Sequence, residues 1–404
     1  MALLIGHLAK AVRIPEVTGY ILAGVTLGPS VLSWISSRNL ETLHVMSQVA
    51  LGMILFSVGS ALDLSHFRSL GRRIVIIALF EAGLTGSLVF ISMLAIGLSW
   101  DIALLLGCIA MSTAPAATMM VLREHDSSGP LTDTIVAVVA FNKIVVLIAF
   151  SIVATAVTLG HDMNGDQSAW ITIIHSAFWL IWELAGSVAL GYLVGLMLAG
   201  WGSKLTEHGE AQILLVGSVL FCIGVSLLFD LSPLISSMAV GATVVNLSKT
   251  SQQLAVALSR FDPPIYAVFF VIAGAGIELD KLMSLGAAGI AFILARAAGK
   301  IAGFRLGSAR AQLSPQVGML LGLAMLALAD LAVGLTIEVA RRFPDLRVSV
   351  SPIVLGAVAF YETLGPIGTR IAVLRSGEAA PAGGRTVLQP HSPAVVTPLE
   401  SERT

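Results

Sequence analysis

Charged and aromatic residues are both scarce in this chain of 404 residues. Only 12% are Asp, Glu, Lys or Arg and 6% are Phe, Trp or Tyr, whereas 56% are hydrophobic. Because soluble domains carry about a quarter charged residues, this composition excludes an ordinary soluble fold. The formal net charge of -1 offers no basic surface for a nucleic acid. The mean hydropathy of +0.91 indicates a protein that lies within a membrane.

Cysteine and the motifs of common enzymes are nearly absent as well. The two cysteines, Cys108 and Cys222, lie inside apolar segments, so they are predicted to be small buried residues rather than a disulfide or a metal site. The chain has no H-E-x-x-H or G-x-S-x-G motif and no pair of Asp residues on facing spans. An enzyme is therefore the least favoured class of protein, and neither a cofactor nor a metal is expected.

Long apolar segments with short polar breaks fill residues 1–375. They predict an all-α polytopic membrane protein with about thirteen transmembrane helices. The first segment, Met1–Val12, is too short to cross a bilayer, so we expect the first helix to be truncated. Residues 376–404 are rich in Pro, Gly, Ser and Thr, and they are predicted to form a disordered tail.

The lysine and arginine residues of the loops predict the orientation in the membrane. If the amino terminus lies outside, most of them fall in cytoplasmic loops, as the positive-inside rule requires. The carboxyl-terminal tail is then cytoplasmic. The exception is the cluster of Arg341, Arg342 and Arg347, which falls on the outer side.

A few charged residues lie deep inside the apolar spans. Lys143 is near the middle of the run from Ile135 to Val157, where a buried ammonium group costs between ~3 and ~17 kcal/mol. Lys300 and Asp330 are similarly deep. Such groups need a partner or a water-filled cavity, and each outcome points to a pathway through the membrane.

Other charged residues of the spans lie closer to the predicted helix ends. For these residues, snorkelling to the interface is a simple alternative to a functional role. Arg296 is one of them, and it shares a helix face with Lys300, four residues later. The acidic residues within spans are Glu81, Glu183, Asp330, Glu338 and Glu362.

The segment from Ser112 to Pro115 predicts a discontinuous helix. Pro115 removes one backbone donor and clashes with the preceding turn, while Ser112 and Thr113 can satisfy the carbonyl groups that are freed. A break in mid-membrane exposes helix ends whose partial charges can hold ions. A simple proline kink is the alternative interpretation.

The sequence around these polar residues resembles that of the bacterial cation:proton antiporters of the Kef and Nap type, within the wider sodium/proton exchanger superfamily. The resemblance extends over nearly the whole membrane part, and the opening stretch is its most specific feature. The matching stretches are IPEVTGYILAG at 14–24, LGPS at 27–30, STAP at 112–115, FFVIAG at 269–274, RAAGK at 296–300 and ETLGP at 362–366.

The resemblance implies a fold and a mode of action. The two halves of the chain would be inverted repeats, with two crossed discontinuous helices, one through Thr113 and Pro115 and the other near Asp330. A mobile core would move against a panel that forms a homodimer in the lipid of a bacterial inner membrane. Protons and monovalent cations, Na⁺ or K⁺, are the implied partners.

One position departs from the family pattern. Where these antiporters have a cation-binding Asp in the sixth span, this chain has Asn142 followed by Lys143. Lys300 matches the family's lysine on the facing core helix, so two lysines would approach one site. At 4 Å, two like charges repel by roughly 4 kcal/mol at an effective dielectric constant of about 20.

Three hypotheses follow for the function. The first is proton-coupled cation antiport at an altered site, in which Asp330 pairs with Lys143 or Lys300, one lysine exchanges protons, and Thr113 and Asn142 supply polar contacts. The second is proton-coupled anion transport, favoured by an electropositive centre of two lysines and two helix amino ends. The third is a sensor or structural homologue without transport, in which Lys143 locks the core through Asp330.

Overall fold

The computed structural model describes residues 15–60, 62, 64–161, 169–202, 208–247, 262–277 and 286–380, and every regular element within these ranges is helical. The expected segment Met1–Val12 and residues 381–404 of the expected tail lie outside the described residues. The α-helices are α1 (Glu16–Leu27), α2 (Ser37–Ser60), α3 (Leu64–Ala95), α4 (Trp100–Ala110), α5 (Pro115–Glu124), α6 (Pro130–His161), α7 (Ala169–Gly202), α8 (His208–Leu228), α9 (Pro233–Leu247), α10 (Asp262–Ala275), α11 (Gly286–Arg310), α12 (Pro315–Ala324), α13 (Asp330–Arg342) and α14 (Arg347–Ser376).

The lengths and composition of these helices suit a membrane. Within the described ranges, six helical stretches are long and apolar enough to cross a bilayer, and six further apolar helices are shorter. Two spans are interrupted: α4 is followed by α5 within the long stretch Trp100–Glu124, and the short helix α12 is followed by α13. The prediction of an all-α polytopic membrane protein with two discontinuous helices is confirmed.

The helices pack as two groups. In one group α3 runs against α11, and α4, α5, α6, α12, α13 and α14 gather around this pair. In the other group α2 contacts α9 and α10, α1 contacts α10, and α7 and α8 contact α9. Each half of the first group repeats one order along the chain, namely a long helix, a broken helix and a second long helix. The groups meet where α6 contacts α7 and α2, where α14 contacts α1, and where α5 contacts α1 and α2.

Glycine residues set how closely neighbouring helices approach. At the crossing of α1 and α10, a Cβ atom on Gly24 would lie 2.2 Å from the Val271 carbonyl oxygen, and one on Gly274 would lie 2.2 Å from that of Ile21. Only glycine fits at both positions, because the two backbones touch there. This contact explains why the sequence places glycine at the end of both the 14–24 and the 269–274 stretches.

A second set of glycines brings α3 against α11. Gly299, Gly303 and Gly307 recur every four residues on α11, so they form one stripe along the helix. A Cβ atom on Gly303 would lie 2.6 Å from the Glu81 Cα atom, and one on Gly299 would lie 2.6 Å from that of Thr85. The backbone of α3 therefore lies directly on this stripe, which places Glu81 beside the polar residues of α11.

The end of α14 is tied to the beginning of α6. The Glu378 carboxylate accepts hydrogen bonds from the backbone N–H groups of Leu131 at 2.7 Å and Thr132 at 2.8 Å, and from the Thr132 hydroxyl at 2.7 Å. The first N–H groups of a helix have no partner within the helix, and a carboxylate there also interacts favourably with the helix dipole. The chain just after α14 thus caps the helix that carries Asn142 and Lys143.

Candidate functional site

Two interrupted helices meet at the centre of the first group. The chain leaves the helical conformation after Ala110 and resumes it at Pro115, the first position of α5, where the missing N–H group of proline costs no helix hydrogen bond. The second interruption separates α12, which ends at Ala324, from α13. The backbone N–H of Ala114 donates to the Ala327 carbonyl at 3.0 Å. The two breaks therefore touch each other.

Arg296 joins the two breaks. Its guanidinium is fully buried and donates to the carbonyl groups of Ala110 at 3.0 Å and Ser112 at 2.8 Å in the first break. It also donates to Leu326 at 2.7 Å and Ala327 at 3.3 Å in the second. One side chain thus donates to four carbonyl groups at the ends of the broken helices. Its positive charge also interacts favourably with the negative ends of the α4 and α12 helix dipoles.

The face of the Arg296 guanidinium is covered by an aromatic ring. The guanidinium carbon lies 4.3 Å from the centre of the Tyr361 ring, which is the distance of a cation–π contact. The Tyr361 hydroxyl donates to the Ile293 carbonyl at 2.5 Å, one turn before Arg296 on α11. Arg296 is therefore held in one orientation by α4, α12 and α14 together. It does not snorkel to an interface, which was the alternative for this residue.

Lys300 lies one turn further along α11, in a cage of three oxygen atoms. Its Nζ atom is 2.5 Å from Glu81 Oε1, 2.6 Å from Thr113 Oγ1 and 2.8 Å from the Met111 carbonyl oxygen. An ammonium group has three N–H donors, and each finds one acceptor. We call these three oxygens the ammonium cage. The side chains of Glu81 and Lys300 are both fully buried, so the pair is shielded from water.

Asn142 completes the arrangement from α6. Its Nδ2 group donates to Glu81 Oε2 at 3.0 Å and to the Met111 carbonyl at 3.1 Å. The Thr85 hydroxyl, one turn after Glu81 on α3, donates to Glu81 Oε1 at 3.4 Å. The buried carboxylate is thus held by an ammonium, an amide and a hydroxyl, which is how a charge in a low-dielectric interior has to be satisfied.

The structure brings together three of the five predicted site residues. Asn142 and Lys300 share the Met111 carbonyl and the Glu81 carboxylate as partners, and Thr113 Oγ1 accepts a hydrogen bond from Lys300. Lys143 follows Asn142 by about 100° around α6 and is 1% exposed. Asp330 is the first residue of α13, and its side chain lies outside the described part of the structure. A pairing of Lys143 with Asp330 stays a prediction.

Ser112 and Pro115 lie at the first break, as the sequence pattern predicts. The Ser112 hydroxyl donates to the Ile109 carbonyl at 2.8 Å, near the end of α4. Thr118, one turn into α5, donates to the Ala324 carbonyl at 3.2 Å, the last residue of α12. Short hydroxyl side chains therefore satisfy carbonyl groups at the ends of both interrupted helices, in addition to those held by Arg296.

Glu81 is the site residue that the sequence patterns did not single out. It was one of several acids within spans, without a motif around it. The sequence feature that could have pointed to Glu81 is the glycine stripe of α11, because such a stripe requires a closely packed neighbouring helix. That signal predicts a close approach but does not say which helix makes it, because Glu81 and Lys300 lie far apart in the sequence.

The glycine stripe makes a prediction about the Glu81–Lys300 contact. Gly303→Ala adds a methyl group 2.6 Å from the Glu81 Cα atom, so α3 has to move away from α11. We expect a loss of roughly 1–3 kcal/mol in stability, seen as a lower thermal unfolding temperature in detergent. Gly83→Ala on α3 is the matched control, because no atom lies within 4 Å of its added methyl group. Equal behaviour of the two variants would contradict this account.

Comparison with known proteins matches the chain to one family. The profile of the family described as "Sodium/hydrogen exchanger, transmembrane" matches residues 1–374. The ammonium/H⁺ antiporter subunit AmhT of Alkalihalophilus pseudofirmus is 20% identical over 277 residues, which cover 68% of each chain. The iron transporter MagA of Paramagnetospirillum magneticum is 31% identical over 127 residues, covering 31% of this chain and 28% of that protein.

Solved structures share the fold. Two structures of the sodium proton antiporter MjNhaP1 from Methanocaldococcus jannaschii superpose on this chain with TM-scores of 0.68 and 0.72, each at 18% sequence identity. The first superposition covers 93% of this chain and 94% of the antiporter, and the second covers 94% and 96%. At this identity the likeness concerns the fold alone.

Proposed function

Because the chain belongs to the transmembrane sodium/hydrogen exchanger family, it is a multi-pass membrane transporter and not an enzyme, and we propose that it exchanges a monovalent cation for protons at the ammonium cage. Cation:proton antiport is the reaction class of the family. The relatives are named for sodium, ammonium and iron, so their names do not choose the cation. The following proposal states which residues bind the cation and how cation transport is coupled to proton transport.

The composition of the ammonium cage is the observation that carries the proposal. Three oxygens, one of them from a carboxylate, surround a single positive charge at 2.5 to 2.8 Å. Carboxylate, carbonyl and hydroxyl oxygens are also the ligands that hard cations take. The Lys300 ammonium therefore occupies the position that a transported cation would occupy. The family pattern has a carboxylate in the sixth span and this chain has none there, so Glu81 of α3 would supply it.

Competition between Lys300 and the cation would couple the two fluxes. While Lys300 is protonated, its ammonium fills the cage and the cation is excluded. When Lys300 releases its proton, the Glu81 carboxylate is left without a counter-charge, and a cation can take the place of the ammonium. Two positive charges at this separation would repel each other strongly in a buried site, so the cage holds one at a time.

This scheme predicts the stoichiometry. In one state the site holds protonated Lys300 and ionised Glu81, and in the other it holds neutral Lys300, the cation and ionised Glu81. The net charge of the site is the same in both states. We therefore expect one proton to be exchanged for each cation, and the rate to be independent of the membrane potential.

Alternating access would come from movement of one helix group against the other. The groups share an apolar core, and near the beginning of α1 the Glu16 N–H also donates to the Glu124 carboxylate at 3.0 Å. We propose that the group containing the ammonium cage moves, and that the group containing α2, α9 and α10 stays fixed and forms a homodimer. A bacterial inner membrane with the carboxyl terminus in the cytoplasm remains the predicted setting.

The test is proton flux in proteoliposomes that contain the purified full chain and a pH-sensitive dye. Addition of Na⁺ or K⁺ should dissipate a pre-set pH gradient, and clamping the potential with valinomycin and matched K⁺ on both sides should leave the Na⁺-driven rate unchanged. A Na⁺-driven rate that changes when the potential is clamped would contradict the one-to-one scheme. The absence of flux with every monovalent cation would contradict antiport and favour a sensor or structural homologue.

The anion hypothesis has its own signature in the same vesicles. Anion transport predicts flux that depends on halide or carboxylate gradients and is lost in Lys143→Ala. The described contacts favour a cation instead, because the Lys300 charge is already matched by Glu81 and the Arg296 donors are taken up by four carbonyl groups. Few N–H groups of these two side chains of α11 are therefore left to bind an anion.

A further inference from the structure

One oxygen atom beside the ammonium cage has no hydrogen-bond partner among the residues that the structure describes. Asn142 is fully buried, and within this part of the chain its Oδ1 atom accepts no hydrogen bond, although its Nδ2 group makes two. A buried acceptor left without a donor costs about 1–3 kcal/mol, so natural proteins rarely keep one without a reason. Asn142 Oδ1 can therefore accept a hydrogen bond from a group that is not present while Lys300 occupies the cage.

The orientation of the Asn142 amide follows from its neighbours. Its Nδ2 group faces the Glu81 carboxylate and the Met111 carbonyl, and both are acceptors only. Exchanging the oxygen and the nitrogen would place three acceptors against one another. The unpaired atom is thus the oxygen, and the amide shares both of its partners with Lys300.

Counting donors and acceptors distinguishes the lysine from a free ion. The Lys300 ammonium has three N–H donors, and the ammonium cage has three acceptors. The fourth substituent of the lysine nitrogen is carbon, which needs no acceptor. A free ammonium ion has a fourth N–H donor in place of that carbon. The further acceptors beside the cage are Glu81 Oε2, which already accepts from Asn142, and Asn142 Oδ1, which has no partner among the described residues.

We propose that the cation carried by the ammonium cage is the ammonium ion, and that Asn142 is the residue that selects it by accepting its fourth hydrogen bond. This inference rests on the proposed exchange function. Glu81, Thr113 and Met111 hold any monovalent cation that displaces Lys300, whereas Asn142 Oδ1 distinguishes a free ammonium ion from an alkylammonium group. The lysine side chain is itself an alkylammonium group, so the same atom favours the cargo over the competing lysine.

The experiment measures cation binding to the purified full chain in detergent, because neutral ammonia crosses vesicle membranes by itself. The thermal unfolding temperature is recorded against increasing NH₄⁺, CH₃NH₃⁺, K⁺ and Na⁺ at constant ionic strength, with choline chloride as the balancing salt. Ligand that binds only the folded protein raises this temperature and yields a dissociation constant. Methylammonium is the matched ligand, because it has three N–H donors and a methyl group in place of the fourth.

We expect NH₄⁺ to bind about fivefold more tightly than CH₃NH₃⁺, which is the ratio that one hydrogen bond of about 1 kcal/mol provides. We also expect NH₄⁺ to bind more tightly than K⁺ or Na⁺. In Asn142→Ala the ratio of NH₄⁺ to CH₃NH₃⁺ should fall to about one. In Thr113→Val both ions should weaken together and the ratio should persist, because both use that oxygen.

The outcomes separate this inference from the exchange function. An unchanged ratio in Asn142→Ala, or tighter binding of K⁺ than of NH₄⁺, overturns the choice of ammonium while Na⁺- or K⁺-driven flux leaves exchange intact. If no cation raises the unfolding temperature and no flux occurs, the exchange function fails with it. Should Asn142→Ala not fold, equal wild-type affinities for NH₄⁺ and CH₃NH₃⁺ overturn the inference by themselves.

Discussion

Replacing Glu81 with glutamine is expected to abolish cation–proton exchange in proteoliposomes, with a loss of at least about 100-fold in rate. The substitution keeps the size of the side chain but removes the only carboxylate among the described partners of Lys300. Removing one partner of a buried ion pair typically costs about 3–5 kcal/mol, and about 3 kcal/mol in cation binding corresponds to more than 100-fold. A cation in the cage would meet only neutral oxygens.

Two further variants make the Glu81 result specific. Glu81→Asp keeps the charge and shortens the side chain by one methylene, so we expect it to retain part of the exchange rate. Glu183→Gln removes a partly buried carboxyl group from α7, in the other helix group, and should leave the rate unchanged. Wild-type exchange by folded Glu81→Gln protein, checked by size-exclusion chromatography, would remove Glu81 from the mechanism.

Replacing Arg296 with methionine is expected to cause the largest loss of stability of any single change in the described site. Methionine fills a similar length, but it removes all four hydrogen bonds that Arg296 donates to carbonyl groups at the two breaks, and of these four carbonyls Ala327 keeps the donor Ala114 N–H. It also removes the positive charge that stabilises the negative ends of α4 and α12. The cation–π contact with the Tyr361 ring is lost as well. We expect a loss of roughly 3–5 kcal/mol, seen as a large drop in the thermal unfolding temperature in detergent.

The control for Arg296 lies on the same helix. Arg310 is the last residue of α11 and is exposed, so Arg310→Met should change stability by no more than about 0.5 kcal/mol. Arg296→Lys should fall between the two, because lysine keeps the charge but has three donors on a single atom instead of a planar fork of five. An unfolding temperature of Arg296→Met within one degree of wild type would show that the breaks do not depend on this side chain.

Much of the fold could be predicted from the sequence. The apolar run lengths predicted the helices, and the proline at 115 predicted the first break, which the structure places after Ala110. The second break was expected near Asp330, and α13 begins at that residue. These features depend on local chemistry, since a membrane requires long apolar helices and proline cannot continue one without loss of a hydrogen bond.

The site was predicted in part. Thr113, Asn142 and Lys300 were expected together, and the structure places all three around one site: Lys300 donates to Thr113 and shares its other partners with Asn142. Arg296 was treated as a residue that could reach an interface, whereas it braces both breaks. The sequence pattern does not reveal this role, because the partners of Arg296 are backbone carbonyl groups, which every residue possesses.

The sequence by itself determined that the chain is helical, lies in a membrane, contains broken helices and carries buried charges that require partners. Only the tertiary structure decided which partner each charge has. Lys143 had suggested an altered site in which Asp330 supplies the carboxylate, and the packing of α3 on the glycine stripe of α11 brings a different carboxylate, Glu81, to Lys300. The physical reason is that burial and helix formation depend on nearby residues, whereas the pairing of buried charges depends on which distant helices can approach closely enough to share a hydrogen bond.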